Sequence, residues 1–63
     1  MAKTNVKVQL TGQDGNAFLI LGKVSSALKR GGYDDLAQEF RSEAMSGDYN
    51  HLLNTCMQYV EVS

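Results

Sequence analysis

Alternating apolar and polar residues near the start of the chain predict a short β-strand. Val6, Val8 and Leu10 alternate with polar neighbours, and a turn-forming segment with two glycines follows at residues 11–15. This strand is expected over about residues 4–10. The same alternation returns at residues 59–62, near the end of the chain, and predicts a second strand.

After the turn, the spacing of apolar residues changes to that of a helix over about residues 16–30. Asn16 is a favourable N-cap, and Gly31 and Gly32 are typical of a helix end. The Asp14-Gly15 pair leaves a β-hairpin as the alternative at this point. We favour the helix because one face collects the apolar residues Ala17, Ile20, Leu21, Val24, Ala27 and Leu28.

Two further helices are predicted in the second half of the chain. Asp34 and Asp35 are expected to cap and begin the second helix, and Gly47 to end it; its apolar face is Leu36, Ala37, Phe40 and Ala44. Asp48 is expected to cap the third helix. The apolar face of that helix is Tyr49, Leu52, Leu53, Cys56 and Met57.

These elements predict an α+β fold, a single β-α-α-α-β domain over residues 1–63 in which residues 1–3 are flexible. The N- and C-terminal strands are expected to pair, and the pattern leaves open whether the pairing is parallel or antiparallel. An isolated two-stranded sheet is marginal in water, and a chain of 63 residues buries only a small core. We therefore expect a homodimer, which could also continue the sheet.

Composition limits the classes of site and of cellular location. One cysteine and one histidine provide neither a disulfide within the chain nor a zinc site of soft ligands. The longest apolar run, residues 17–21, is far shorter than a membrane span, and no apolar stretch of a signal peptide is found at the N-terminus. We expect a cytoplasmic protein with no membrane partner.

No residue pattern predicts catalysis. His51 and Cys56 are five positions apart and lie on different faces of the third helix, so they do not form a nucleophile and base pair. The loop at residues 11–16 has neither the P-loop ending nor the dinucleotide pattern, and Asp14 would repel phosphate. We expect a protein that is not an enzyme and has no cofactor and no bound metal.

The net charge of -1 conceals two oppositely charged halves. Residues 1–30 hold five basic residues and one acidic residue, and residues 31–63 hold one basic and six acidic residues. A nucleic-acid-binding accessory protein is therefore the alternative function, although the pI of 5.6 argues against it. Its basic residues would be Lys3, Lys7, Lys23, Lys29 and Arg30.

Two surfaces are candidates for binding a protein partner. On the first helix an apolar leucine falls among polar residues opposite the core, beside a phenylalanine and small residues. This candidate interface consists of Phe18, Leu19, Gly22, Lys23, Ser26 and Arg30. The second surface is an acidic row on the second helix, Asp35, Glu39 and Glu43, which either provides solubility or meets a basic partner.

The chain resembles a group of short, mostly uncharacterised proteins encoded by phages, prophages and related bacterial elements. The resemblance rests on residues 14–18 (DGNAF), 21–30 (LGKVSSALKR), 46–49 (SGDY), 52–57 (LLNTCM) and 60–62 (VEV). It favours the helix over the hairpin, implies a bacterial host and transfers no catalytic or ligand-binding residue. Small phage proteins often bind a host protein, so it implies an interaction module for a host or phage protein, such as an inhibitor of a host defence or host enzyme.

Overall fold

A computed structural model describes residues 2–10 and 16–63. The elements, in chain order, are β1 (Lys7–Val8), α1 (Ala17–Arg30), α2 (Asp34–Ala44), α3 (Tyr49–Tyr59) and β2 (Glu61–Val62). The protein is thus a mixed α+β fold with three helices and one two-stranded sheet, as the pattern predicts. Both strands are shorter than expected, at two residues each.

The two strands run parallel, with Lys7 opposite Glu61 and Val8 opposite Val62. Backbone hydrogen bonds extend the pairing on both sides, from the Glu61 N–H to the Val6 carbonyl at 2.8 Å and from the Leu10 N–H to the Ser63 carbonyl at 3.1 Å. Parallel strands need a long connection, and the three helices provide it. The direction that the sequence left open is therefore parallel.

Helix α1 has the ends that the sequence predicts. The Asn16 side chain accepts a hydrogen bond from the Leu19 N–H at 3.0 Å. At the other end Gly32 has a φ of +87°, and the Tyr33 N–H donates to the Leu28 carbonyl at 2.9 Å. This Schellman arrangement requires the left-handed backbone that glycine adopts without strain. The hairpin alternative is wrong for residues 17–30, and its Asp14-Gly15 turn lies outside the described residues.

The ends of α2 differ from the prediction, whereas the start of α3 agrees with it. Tyr33 occupies the N-cap of α2 without a side-chain hydrogen bond, so Asp34 and Asp35 favour the helix through their charge rather than as caps. Met45, not Gly47, is the C-cap. Asp48 caps α3 as predicted, because its carboxylate accepts from the His51 N–H at 2.9 Å.

The core lies where α2 packs between α1 and α3, with the sheet covering one end of α1 and α3. Phe40, Ile20, Leu28, Val24 and Val60 are the largest apolar side chains that are completely buried. The predicted faces are wrong at their margins. Ala17 and Met57 are exposed, whereas the polar Ser25 and Thr55 are buried.

Lys3, assigned to the flexible first three residues, is held by the end of α3. Its backbone N–H donates to the Gln58 carbonyl at 2.8 Å. The next residue, Thr4, is buried and donates through its hydroxyl to the Tyr59 carbonyl at 2.7 Å. These bonds attach the segment before β1 to the segment before β2 and so fix where the sheet begins.

Candidate protein-interaction surface

The first turn of α1 exposes two large apolar side chains. Phe18 is 82% exposed and Leu19 is 55% exposed, although both belong to a helix whose other face forms the core. Burying such a side chain stabilises a protein or complex by about 1.5–3 kcal/mol, so a partner that covered both would gain from each. The remaining residues of the predicted interface lie on the same helix; Gly22 is half-buried, and Lys23, Ser26 and Arg30 are exposed.

A groove of about 260 Å³ opens beside Phe18, between the first turns of α1 and the connection from α2 to α3. Met45, 63% exposed, and Tyr49, 37% exposed, line it from the opposite side. The groove is smaller than the roughly 300–1,000 Å³ typical of cofactor or drug-sized ligand sites. Its size and its mostly apolar walls suit a single apolar side chain from a partner. We call Phe18, Leu19, Met45 and Tyr49 the apolar patch.

The sequence pattern predicts Phe18 and Leu19 as interface residues but does not predict Met45 and Tyr49. It places Tyr49 on the core face of α3 and assigns Met45 to no surface. A usable signal was present, because only residues 45–48 separate α2 from α3. A connection that short forces both helix ends to the same corner of the fold.

The five basic residues of the nucleic-acid alternative lie on α1, on β1 and in the segment before β1. Lys23, Lys29 and Arg30 lie exposed on α1, and none of them forms an ion pair within residues 2–10 and 16–63. Lys7 is on β1, whereas Lys3 already pairs with an acidic residue. The nucleic-acid alternative stays a prediction, with one of its five residues engaged elsewhere.

Lys3 joins Glu39 and Tyr59 in a small polar cluster. The Lys3 ammonium lies 2.9 Å from Glu39 Oε2 and 4.7 Å from the centre of the Tyr59 ring, and the Tyr59 hydroxyl donates to the same oxygen at 2.6 Å. The Tyr59 hydrogen bond, followed by the Lys3 interactions, lowers the pKa of Glu39. The pKa of Lys3 is raised, chiefly by its hydrogen bond to Glu39. Glu39 therefore holds the N-terminal segment against α3.

Glu43 is likewise engaged within the chain. His51 Nε2 lies 3.1 Å from Glu43 Oε2, 2.9 Å from the Glu43 carbonyl and 3.2 Å from Ser46 Oγ. A Cβ at Gly47 would lie 2.7 Å from Cγ of His51, so this glycine allows the ring to sit against the turn. Glu39 and Glu43 are exposed, as an acidic surface row requires, but each also has a structural contact within the chain. In the acidic row only Asp35 lacks an ion pair among the described residues.

The Ser46, His51 and Glu43 side chains do not have the arrangement of a catalytic triad. The Glu43 carbonyl can only accept a hydrogen bond, so His51 Nε2 carries a proton and is not a base toward Ser46. The Ser46 hydroxyl itself donates to that carbonyl at 2.7 Å. The Ser46 hydroxyl and His51 Nε2 instead donate to the carbonyl of Glu43, in the last turn of α2, and this is a structural role.

The described residues provide neither a reactive thiol nor a metal-binding cluster. Cys56 is fully buried, and burial raises the pKa of its thiol to about 11, so the reactive thiolate is suppressed. Within residues 2–10 and 16–63, no three His, Cys, Asp or Glu side chains are grouped so that they could hold a metal ion.

Comparisons with protein-family models, with curated proteins and with solved structures each find no match. None of the helices in the described part of the chain is long and apolar enough to span a membrane.

Proposed function

We propose that this chain is a non-enzymatic protein-interaction module that binds a host or phage protein through the apolar patch. The observation that supports this most is the 82% exposure of Phe18 at the mouth of an apolar groove. Exposed large apolar side chains that cluster beside a groove are typical of binding sites. The resemblance to phage and prophage proteins supports the choice of partner. Occupation of a host protein surface, as an inhibitor does, needs no catalytic group.

Self-association is the second part of this proposal. Within the described residues each strand has only one paired edge, and the sheet has only two residues in each strand. A second copy could extend the sheet or cover the apolar patch. Sedimentation equilibrium should then give a mass of about twice 6.9 kDa at micromolar concentrations. A 6.9 kDa species up to hundreds of micromolar would exclude the dimer.

Position-specific photo-crosslinking tests the binding surface itself. A benzophenone amino acid is placed at Phe18 in one variant and at Gln38, an exposed residue of α2 outside the groove, in a matched control. We expect a discrete adduct from Phe18 on irradiation in the bacterial host and none from Gln38. An adduct of about twice 6.9 kDa identifies a second copy, and a larger one another protein. Equal labelling at both positions, or none, argues against the proposal.

A further inference from the structure

The exposed face of α1 carries positive charge that no described residue neutralises. Lys23, Lys29 and Arg30 are exposed and form no ion pair with any residue of 2–10 or 16–63, and α1 contains no acidic residue. By contrast, Lys3 pairs with Glu39, and the His51 ring lies beside Glu43. The N-terminal turns of this face are apolar and its C-terminal turns are basic, so it is complementary to a surface that is apolar at one end and acidic at the other.

Gly22 lies in the middle of the same face, and nothing in the described part of the chain packs against it closely enough to require a glycine. A Cβ built there meets no atom within 4 Å, and its φ is not positive. Glycine destabilises a helix interior relative to alanine, so its presence weakens α1 without relieving a contact. Ser26, one turn further on, is exposed and also small. Another backbone could therefore approach closely between the apolar patch and the basic residues.

We propose, on the premise of the proposed function, that this face of α1 receives an acidic amphipathic helix from the partner protein. The partner helix lies over Gly22, places an apolar side chain in the groove beside Phe18, and directs carboxylates toward Lys23 and Arg30. This is the helix-in-groove mode of recognition with charge complementarity added.

Two other occupants fit less well. A nucleic acid would use the cations but would leave the groove and its apolar walls unfilled. Packing of α1 against α1 of a second copy would bring the unpaired cations toward each other. Packing against α2 of a second copy would require acidic residues of which Glu39 and Glu43 are already engaged. An acidic helix alone satisfies both the apolar and the basic parts of the surface.

The test selects peptides without a bias in charge. A displayed random library of about 16-residue peptides, slightly longer than the 14 residues of α1, is selected against the immobilised protein at about 0.1 M salt. We expect the selected peptides to be acidic and to become helical on binding. Reversal of charge by Lys23→Glu with Arg30→Glu should weaken their binding by about tenfold or more. Lys7→Glu is the control, because Lys7 is an exposed lysine of β1 that belongs neither to α1 nor to the lining of the groove.

Gly22→Ala gives a readout that a merely structural role would not produce. This substitution should raise the melting temperature of the protein by about 2–8 °C and at the same time weaken its affinity for the selected peptides by about tenfold. A short single-stranded DNA and RNA of matched length are titrated in parallel. Binding of either nucleic acid that is lost with Lys23→Glu and Arg30→Glu overturns the acidic-helix proposal.

The remaining outcomes separate this inference from the proposed function. The selected peptides could lose binding on Phe18→Ser and yet be neutral or basic, or bind equally well after the charge reversal. That result overturns the acidic-helix inference but still supports the proposed interaction surface. Failure to select any peptide, or selection of peptides indifferent to Phe18→Ser, overturns both.

Discussion

The two phenylalanines of this chain allow the same substitution to be compared in opposite environments. Phe40 is fully buried on α2 and meets the Tyr59 ring edge to face, with centroids 5.6 Å apart and planes at 69°. Phe18 is 82% exposed. Phe40→Ala and Phe18→Ala remove identical atoms, so any difference in stability comes from the surroundings.

The expected losses in the free energy of unfolding differ enough to distinguish the two environments. Removing a buried phenylalanine ring costs about 3–5 kcal/mol, and the loss of the aromatic pair with Tyr59 is part of that cost. A domain of 63 residues has a total free energy of unfolding of about 3–9 kcal/mol. Phe40→Ala should therefore remove about a third or more of that free energy, and all of it if the total lies at the lower end of the range. Phe18→Ala should change the free energy of unfolding by less than about 0.5 kcal/mol, as at other exposed sites.

Urea denaturation, monitored by circular dichroism, measures the free energy of unfolding of both variants. With a slope of about 1 kcal/mol/M, Phe40→Ala should lower the midpoint by about 3 M or abolish the transition, and Phe18→Ala should move it by less than about 0.5 M. Two protein concentrations are compared, because a partner copy over Phe18 would make its effect depend on concentration. Equal losses in the two variants at both concentrations would refute the assignment of Phe40 to the core and of Phe18 to a binding surface.

Three other perturbations have defined outcomes. The lowered pKa of Glu39 contributes stability above its ordinary value of 4.5, and this is lost as the pH falls through the lower folded value. Glu39→Gln should thus show a smaller drop in urea midpoint between about pH 6 and pH 3 than the wild type does, and an equal drop would contradict this. Gly47→Ala should lower the free energy of unfolding by about 1 kcal/mol or more, because its Cβ would lie 2.7 Å from His51; an unchanged urea midpoint would be inconsistent with that packing. Cys56 should react with a maleimide at about pH 8 only in urea, and rapid labelling of the native protein would contradict its burial.

The order of the elements could be predicted from the sequence because local signals specify it. Asn16 and Asp48 have short polar side chains that accept a hydrogen bond from a backbone N–H in the first turn of α1 and of α3, respectively. Gly32 adopts the left-handed backbone conformation that ends α1. Such effects involve residues three to five positions apart, which a sequence displays directly. The predicted cap at Asp34 was wrong because an acidic residue is equally favourable one position inside a helix, where only its charge acts.

The parts that could not be predicted depend on distant residues. The pattern predicts the acidic row on α2 as a surface for solubility or for a basic partner, but it does not show that Glu39 accepts hydrogen bonds from Lys3, 36 positions away, and from Tyr59. The groove required Met45 and Tyr49 to meet Phe18 across a corner of the fold. Helical spacing places Leu19 opposite the core and Phe18 at the edge of the apolar face, because it concerns a single helix. It does not show which other elements border that helix.

The parallel pairing of β1 with β2 has a consequence for how the protein is made. The bond from the Thr4 hydroxyl to the Tyr59 carbonyl spans 55 positions, whereas neighbouring helices in the fold are also neighbours in sequence. During synthesis the helical contacts can form while translation continues, but β1 has no strand to pair with until residues 61–62 have left the ribosome. Until then the buried face of β1 and the ends of the core remain open to solvent. Closure of the domain therefore follows the formation of the helical contacts, and for that interval the nascent chain is most exposed to chaperones and proteases.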